Sequence, residues 1–157
     1  MSDRLTAGDV CTRIVTIAYR GTPLSEAARL MRDHHVGCLV VVEETDVGRV
    51  VVGMLTDRDI VVSVVARERD ASLISIGEAM STDLVMARDQ DSVTDLLELM
   101  SRKGVRRIPV TGPQGVLVGL VALDDLLQVV AEEMQTMAAA ISSGRKREGT
   151  ERLGLTA

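Results

Sequence analysis

Two hydrophobic rhythms alternate along the chain, and the same succession runs through it twice. A short apolar run at residues 15–18 is followed by a stretch, 24–34, whose apolar residues Leu24, Ala27, Leu30 and Met31 recur at helical spacing. Two runs rich in β-branched residues come next, 38–42 and 50–55, with a turn at 43–49. The second half repeats the order: a run at 84–87, a helical pattern over 93–103 carrying Leu96, Leu97 and Met100, then runs at 107–110 and 116–121. Helical periodicity predicts helices, and β-rich runs bounded by turn residues predict hairpin strands. Closing helices are expected at 57–66 and 124–140, so each half reads strand–helix–strand–strand–helix. Thr22 before Pro23 is the expected cap of the first long helix, and Asp91 that of its counterpart. Residues 5–11 and 72–80 read as equivalent connectors.

The halves can be laid on each other. An offset of 69 positions pairs Leu30-Met31 with Leu99-Met100, Val36 with Val105 and Val41 with Val110. Past the hairpin turn the offset falls to 66, pairing Val52-Gly53 with Val118-Gly119 and Asp59 with Asp125. A repeat of this kind fixes the architecture before any single motif does. The organisation expected is a first repeat over 5–68, a second over 74–135, and a helix extension with tail over 136–157. Gly144 is the expected stop of that helix. The polar residues after it read as a flexible end.

Chemistry concentrates where each repeat closes. The first copy ends Gly53-Met54-Leu55-Thr56-Asp57-Arg58-Asp59; the second ends Gly119-Leu120-Val121-Ala122-Leu123-Asp124-Asp125. A carboxylate such as Asp59 can accept both hydroxyls of a ribose. Thr56 opens a helix, where free backbone N–H groups and the dipole favour phosphate. Thr-x-x-Asp before an apolar helix is also a variant of the capping box. The two roles are compatible. The second copy keeps the carboxylate but has Ala122 in place of the hydroxyl.

Composition narrows the field. The 157 residues are 46% hydrophobic and 26% charged but only 1% aromatic, with one Tyr and neither Phe nor Trp. A flat ligand would therefore be held between branched aliphatic side chains. A net charge of −5 argues against non-specific nucleic-acid binding. The start lacks a signal-peptide pattern and no apolar run approaches a membrane span, so a cytoplasmic protein is expected. Cys11 and Cys38 lie 27 positions apart in no metal or redox spacing and read as reduced thiols. The adjacent His34 and His35 end a helix and point apart, so no metal site is expected. No nucleophile–base pair is visible, so an enzyme is not expected. Residues 60–65 make a helix apolar almost all round, which calls for a second subunit.

The order of elements, the strand Arg107-Ile108-Pro109-Val110 and the two Gly-hydrophobic-x-Thr/Ala-x-x-Asp endings resemble a tandem pair of cystathionine-β-synthase (CBS) domains, or Bateman module, over residues 5–135. The resemblance implies an α/β fold of two β-α-β-β-α repeats packed as a pseudo-two-fold pair, assembled into a flat homodimer. It implies a regulatory module that binds AMP, ADP, ATP or S-adenosylmethionine between its repeats, has no resident cofactor, and signals to a separate client protein. In such a site Thr56 and Asp59 would face Leu84, Val85, Met86, Val105 and Pro109 of the other repeat, with Arg106 and Arg107 as phosphate partners. Strand alternation aims only one of the two inward, and Arg107 is favoured. The mirror site would use Asp125 with Thr16, Ile17, Val36, Gly37 and Cys38. Val40 stands there where the other half has Pro109, and no arginine is expected to face it. That weaker site is expected to be empty or to take an uncharged nucleoside-like ligand. The alternative is a ligand-free dimerisation scaffold in which Thr56 and Asp59 only cap a helix.

Overall fold

A computed structural model describes residues 5–154. The long helices of the two halves, α2 (Leu24–His34) and α5 (Val93–Lys103), span the expected residues. They end alike because the next residue, His35 or Gly104, turns left-handed with φ of 53° or 65°. Their starts differ from expectation. The cap of α2 is Pro23, not Thr22. Tertiary pairing decides this: Ile76 N–H donates to the Thr22 carbonyl at 2.8 Å and Leu24 N–H to that of Ile74, which holds Thr22-Pro23 extended. The cap of α5 is Ser92, not Asp91: Ser92 Oγ accepts from Asp95 N–H, and Ser92 N–H donates to the Asp95 carboxylate at 2.9 Å. The Asp91 carboxylate instead accepts from Arg88 N–H. Ser92→Ala should therefore lower stability by about 1 kcal/mol, and the midpoint of thermal unfolding by about 2–4 °C.

Each half forms one three-stranded sheet. In the first, β1 (Ile17–Ala18) runs parallel to β2 (Cys38–Thr45), which pairs antiparallel with β3 (Gly48–Thr56). In the second, β4 (Ala87–Arg88), β5 (Arg107–Thr111) and β6 (Leu117–Ala122) repeat that arrangement. The opening strands are shorter than expected, since only two residues of each find ladder partners. The length difference between halves does fall in the hairpin turn: β2 and β3 extend to Thr45 and Gly48, whereas a short 3₁₀ turn, Pro113–Gly115, precedes β6.

The Gly of each closing motif is explained by its neighbours. A β-bulge at Val52 or Val118 immediately precedes it, because Val41 and Val42 pair with Gly53 and Val51, and Val110 and Thr111 with Gly119 and Leu117. A connector then crosses close beside it. Met54 exchanges both backbone hydrogen bonds with Ser81, and Leu120 does so with Thr12. The connectors are crossed between halves. The turn α1 (Ala7–Val10) precedes the first half but packs into the second half's core, while Ile74, Ile76 and Met80, around α4 (Ile76–Ala79), enter the first's.

Three apolar clusters result, one per repeat and a third between the sheets around Val40, Val42 and Val51 with Ile17, Leu84, Leu117 and Leu120. Helix α3 (Asp57–Ile60) runs into a π-helical turn, Val61–Val65. Four valines crowd that turn, and β-branched residues are poor helix formers. Ile60 and Val64 pack on the core, while Val61, Val62 and Val65 stay 53%, 46% and 68% exposed. The last helix, α6 (Leu123–Gly154), does not stop at Gly144. A single glycine costs a helix only about 1 kcal/mol, and the residues after it are mostly helix-compatible. The flexible end expected there is replaced by helix to Gly154, and residues 155–157 lie outside those described. No helix among the described residues is long and apolar enough to cross a membrane.

Candidate functional site

The first closing motif faces an open cleft between the repeats. Thr56 and Asp59 form one wall, Val85 and Val105 with Leu84 an apolar wall, and Arg106 and Arg107 a cationic one. Seven of the residues expected here, Thr56, Asp59, Leu84, Val85, Val105, Arg106 and Arg107, therefore meet across one space. Met86 does not line it and is 39% exposed, and Pro109 does not line it either. Pro109 sits farther down β5, paired with Leu120 and buried. Sequence reasoning missed Met54, Ser81 and Asp83. The polar run Ser81-Thr82-Asp83 just before Leu84 was the available signal.

The helix start is closed rather than open. Thr56 N–H donates to Asp59 Oδ2 at 2.8 Å, and Asp59 N–H to Thr56 Oγ1 at 3.1 Å, a complete capping box. Asp57 N–H donates to the Gly37 carbonyl at 3.0 Å, and Arg58 N–H to Asp57 Oδ1 at 2.8 Å. The free N–H groups expected to receive a phosphate are thus all engaged. What remains for a ligand is the second Asp59 oxygen, the Thr56 hydroxyl hydrogen and the arginines. Phosphate binding at this site must rest on guanidinium groups, which bind phosphate with paired donors.

A second groove lies at the other closing motif. Asp125, Thr16, Val36, Gly37 and Cys38 line it as expected, together with Thr12, His35, Leu120 and Ala122. Ile17 does not, because its side chain packs into the cluster between the sheets. Ala122 N–H donates to Asp125 Oδ2 at 3.2 Å, half of a capping box, since Ala122 has no hydroxyl to complete it. This groove does face an arginine, contrary to expectation: Arg107 lines both spaces, and so does Cys38. The repeat offset explains the sharing. Cys38 and Arg107 are equivalent positions, each opening the central strand of its sheet, opposite Thr56 and Ala122 respectively. They flank the pseudo-two-fold axis, and the long guanidinium side chain borders either groove. Burial pushes the Cys38 thiol up from its ordinary value, with Arg107 opposing in part, so the pair presents a neutral thiol and one cation. Among the described residues no group of His, Cys, Asp and Glu is arranged to hold a metal ion.

The family model of the CBS domain matches residues 7–66 and again 76–132. The chain is 42% identical over 115 residues to the CBS domain-containing protein YhcV of Bacillus subtilis, covering 73% of this chain and 77% of that one. It is 32% identical over 127 residues to Hypoxic response protein 1 of Mycobacterium tuberculosis, covering 81% and 86%. A crystal structure of Hypoxic Response Protein I with two coordinated zinc ions superposes with a TM-score of 0.69 over 78% of this chain and 97% of that one, at 32% identity. The CBS domain pair of protein MJ0100, in complex with 5′-methylthioadenosine and S-adenosyl-L-methionine, superposes with a TM-score of 0.71 over 83% and 98%. At 22% identity that last likeness is one of fold.

Proposed function

Because the chain belongs to the CBS domain family and carries the domain twice, we propose that it is a regulatory module that binds an adenosine-containing ligand in the cleft between its repeats. The observation that carries this reading is the convergence of Thr56 and Asp59 from one repeat with Val85, Val105 and Arg107 from the other. In the proposed pose the free oxygen of Asp59 accepts the ribose hydroxyls, and the branched side chains of Val85 and Val105 sandwich the base. Arg107, with Arg106 beside it, neutralises phosphate. Binding of S-adenosyl-L-methionine by the CBS pair of MJ0100 supports the adenosyl part of the reading. Arg106 and Arg107 supply paired donors for a phosphate, so AMP, ADP or ATP is proposed ahead of S-adenosylmethionine. A ligand of differing affinity for two arrangements of the repeats shifts the population between them, which is how the signal would reach a separate client protein. The exposed Val61, Val62 and Val65 support a homodimer as part of the same reading. A cytoplasmic location, where adenine nucleotides and reduced thiols occur, completes it.

The complete capping box favours one second reading, a ligand-free scaffold, because Thr56 and Asp59 already have a structural role. A thermal-shift panel of AMP, ADP, ATP, S-adenosylmethionine, NAD and GTP separates the two. A ligand that binds only the folded state raises the melting temperature with concentration, whereas no response at millimolar ligand leaves the scaffold. Arg107→Ala should weaken the phosphate-bearing ligand about 10- to 100-fold, the value of one charge-assisted contact. Titration with adenosine on the same variant should show little change.

A further inference from the structure

We propose that the free part of α6, residues 130–148, pairs in antiparallel fashion with the same segment of a second copy of this chain. Every residue from Ala131 to Glu151 is exposed, so this helix gains little from the body of its own chain. It also contains Gly144, Gly149 and Gly154, each about 1 kcal/mol less favourable than alanine in a helix. Isolated helices of this composition are marginal in water and hold through packing of an apolar face. Such a face exists. Leu127, Val130, Met134, Met137 and Ile141 follow each other at alternating spacings of three and four, the seam of a coiled coil. Leu127, Met134, Met137 and Ile141 are 57–62% exposed.

Charge decides the occupant and its direction. Glu132 and Glu133 lie beside Met134 of the seam, and Arg145, Lys146 and Arg147 follow Ile141. In an antiparallel pair centred near Ala139, Met137 of one copy meets Ile141 of the other, and Met134 meets Gly144, whose missing side chain leaves room for it. Glu133 of one copy then lies beside Arg147 of the other, at both ends. The run Ala138-Ala139-Ala140 at the centre lets the helices approach closely. A parallel pair would instead set Glu148 on the seam directly against Glu148, and like charges so placed are unfavourable. The contact is self-complementary, as a two-fold interface must be, and it does not depend on the ligand reading.

The test uses the full chain with Cys11→Ser and Cys38→Ser, into which Met137→Cys and Ile141→Cys are introduced separately. Thiols on residues whose Cα atoms lie more than about 7 Å apart cannot be bridged without backbone movement. A shift of four residues moves a side chain about 6 Å along the helix. Oxidation of the two variants mixed should give disulfide-linked dimer at least tenfold above either variant alone. Charge reversal at Glu133→Arg should reduce that yield severalfold, and adding Arg147→Glu should restore it. Efficient self-linking of either variant alone, or no linkage in the mixture, would overturn the proposal.

Discussion

Gly119→Ala is expected to destabilise the protein by about 2–3 kcal/mol, the upper part of the range for overpacking a tight site. A Cβ there would lie 2.5 Å from Cys11 Sγ and 2.7 Å from the Thr12 carbonyl oxygen. The carbonyl cannot retreat cheaply, because Thr12 and Leu120 exchange two backbone hydrogen bonds of 2.9 and 3.0 Å. Relief would peel the first connector off the second repeat and disturb the core that Ala7 enters. In a chain of this size, about 2–4 °C of melting temperature is lost per kcal/mol, so a fall of about 5–10 °C is expected in a thermal melt. Gly53→Ala supplies the control. There the new Cβ meets only side-chain atoms of Met80, Sδ, Cε and Cγ. A flexible thioether can repack, so the loss should be smaller. The reverse order of severity would refute the view that backbone crossing is what demands the second glycine.

The other large effect falls on Asp59, whose two carboxylate oxygens have separate duties. One accepts from Thr56 N–H and caps α3; the other faces the cleft. Asp59→Ala removes both. Apo stability should fall by about 1 kcal/mol, and ligand affinity by 30-fold or more, since a charge-assisted hydrogen bond contributes roughly 1.5–3 kcal/mol. Asp59→Asn separates the duties. Its amide oxygen can still accept from Thr56 N–H, so the apo melting temperature should stay near wild type while the ligand-induced shift largely disappears. A full ligand response in Asp59→Asn would mean that the carboxylate charge plays no part in binding.

Much of this architecture was legible from periodicity. The bounds of α2 and α5 follow from apolar residues at helical spacing and from residues able to turn left-handed at the end. The repeat offsets located the hairpins and, through the change from 69 to 66, the turn that differs in length. What escaped notice was set by contacts from distant segments. Thr22 looks like a cap, but Ile74 and Ile76 hold it in an extended pair. The N–H groups of α3 look available, but one is taken by the Gly37 carbonyl just before β2. Alternation along the strand predicts a single inward arginine, yet Arg106 and Arg107 both line the cleft, because Arg106 precedes β5 and escapes its alternation, and Arg107 borders the second groove as well. That fact was implicit in the offset, which pairs Arg107 with Cys38 across the pseudo-two-fold axis. Pro109, Met86 and Ile17 do not line the grooves, because Pro109 is buried within β5, Ile17 packs into the cluster between the sheets, and Met86 is left in solvent.

The central account is one site for a charged adenosine ligand, anchored at Asp59 and completed by an arginine that the second groove also borders. Calorimetric titration of the wild-type chain, Asp59→Ala and Asp125→Ala with the ligand found in the thermal-shift panel tests it most directly. The account predicts one charged ligand per chain, binding lost in Asp59→Ala and nearly unchanged in Asp125→Ala. Two equivalent sites per chain, or equal losses in the two variants, would contradict it.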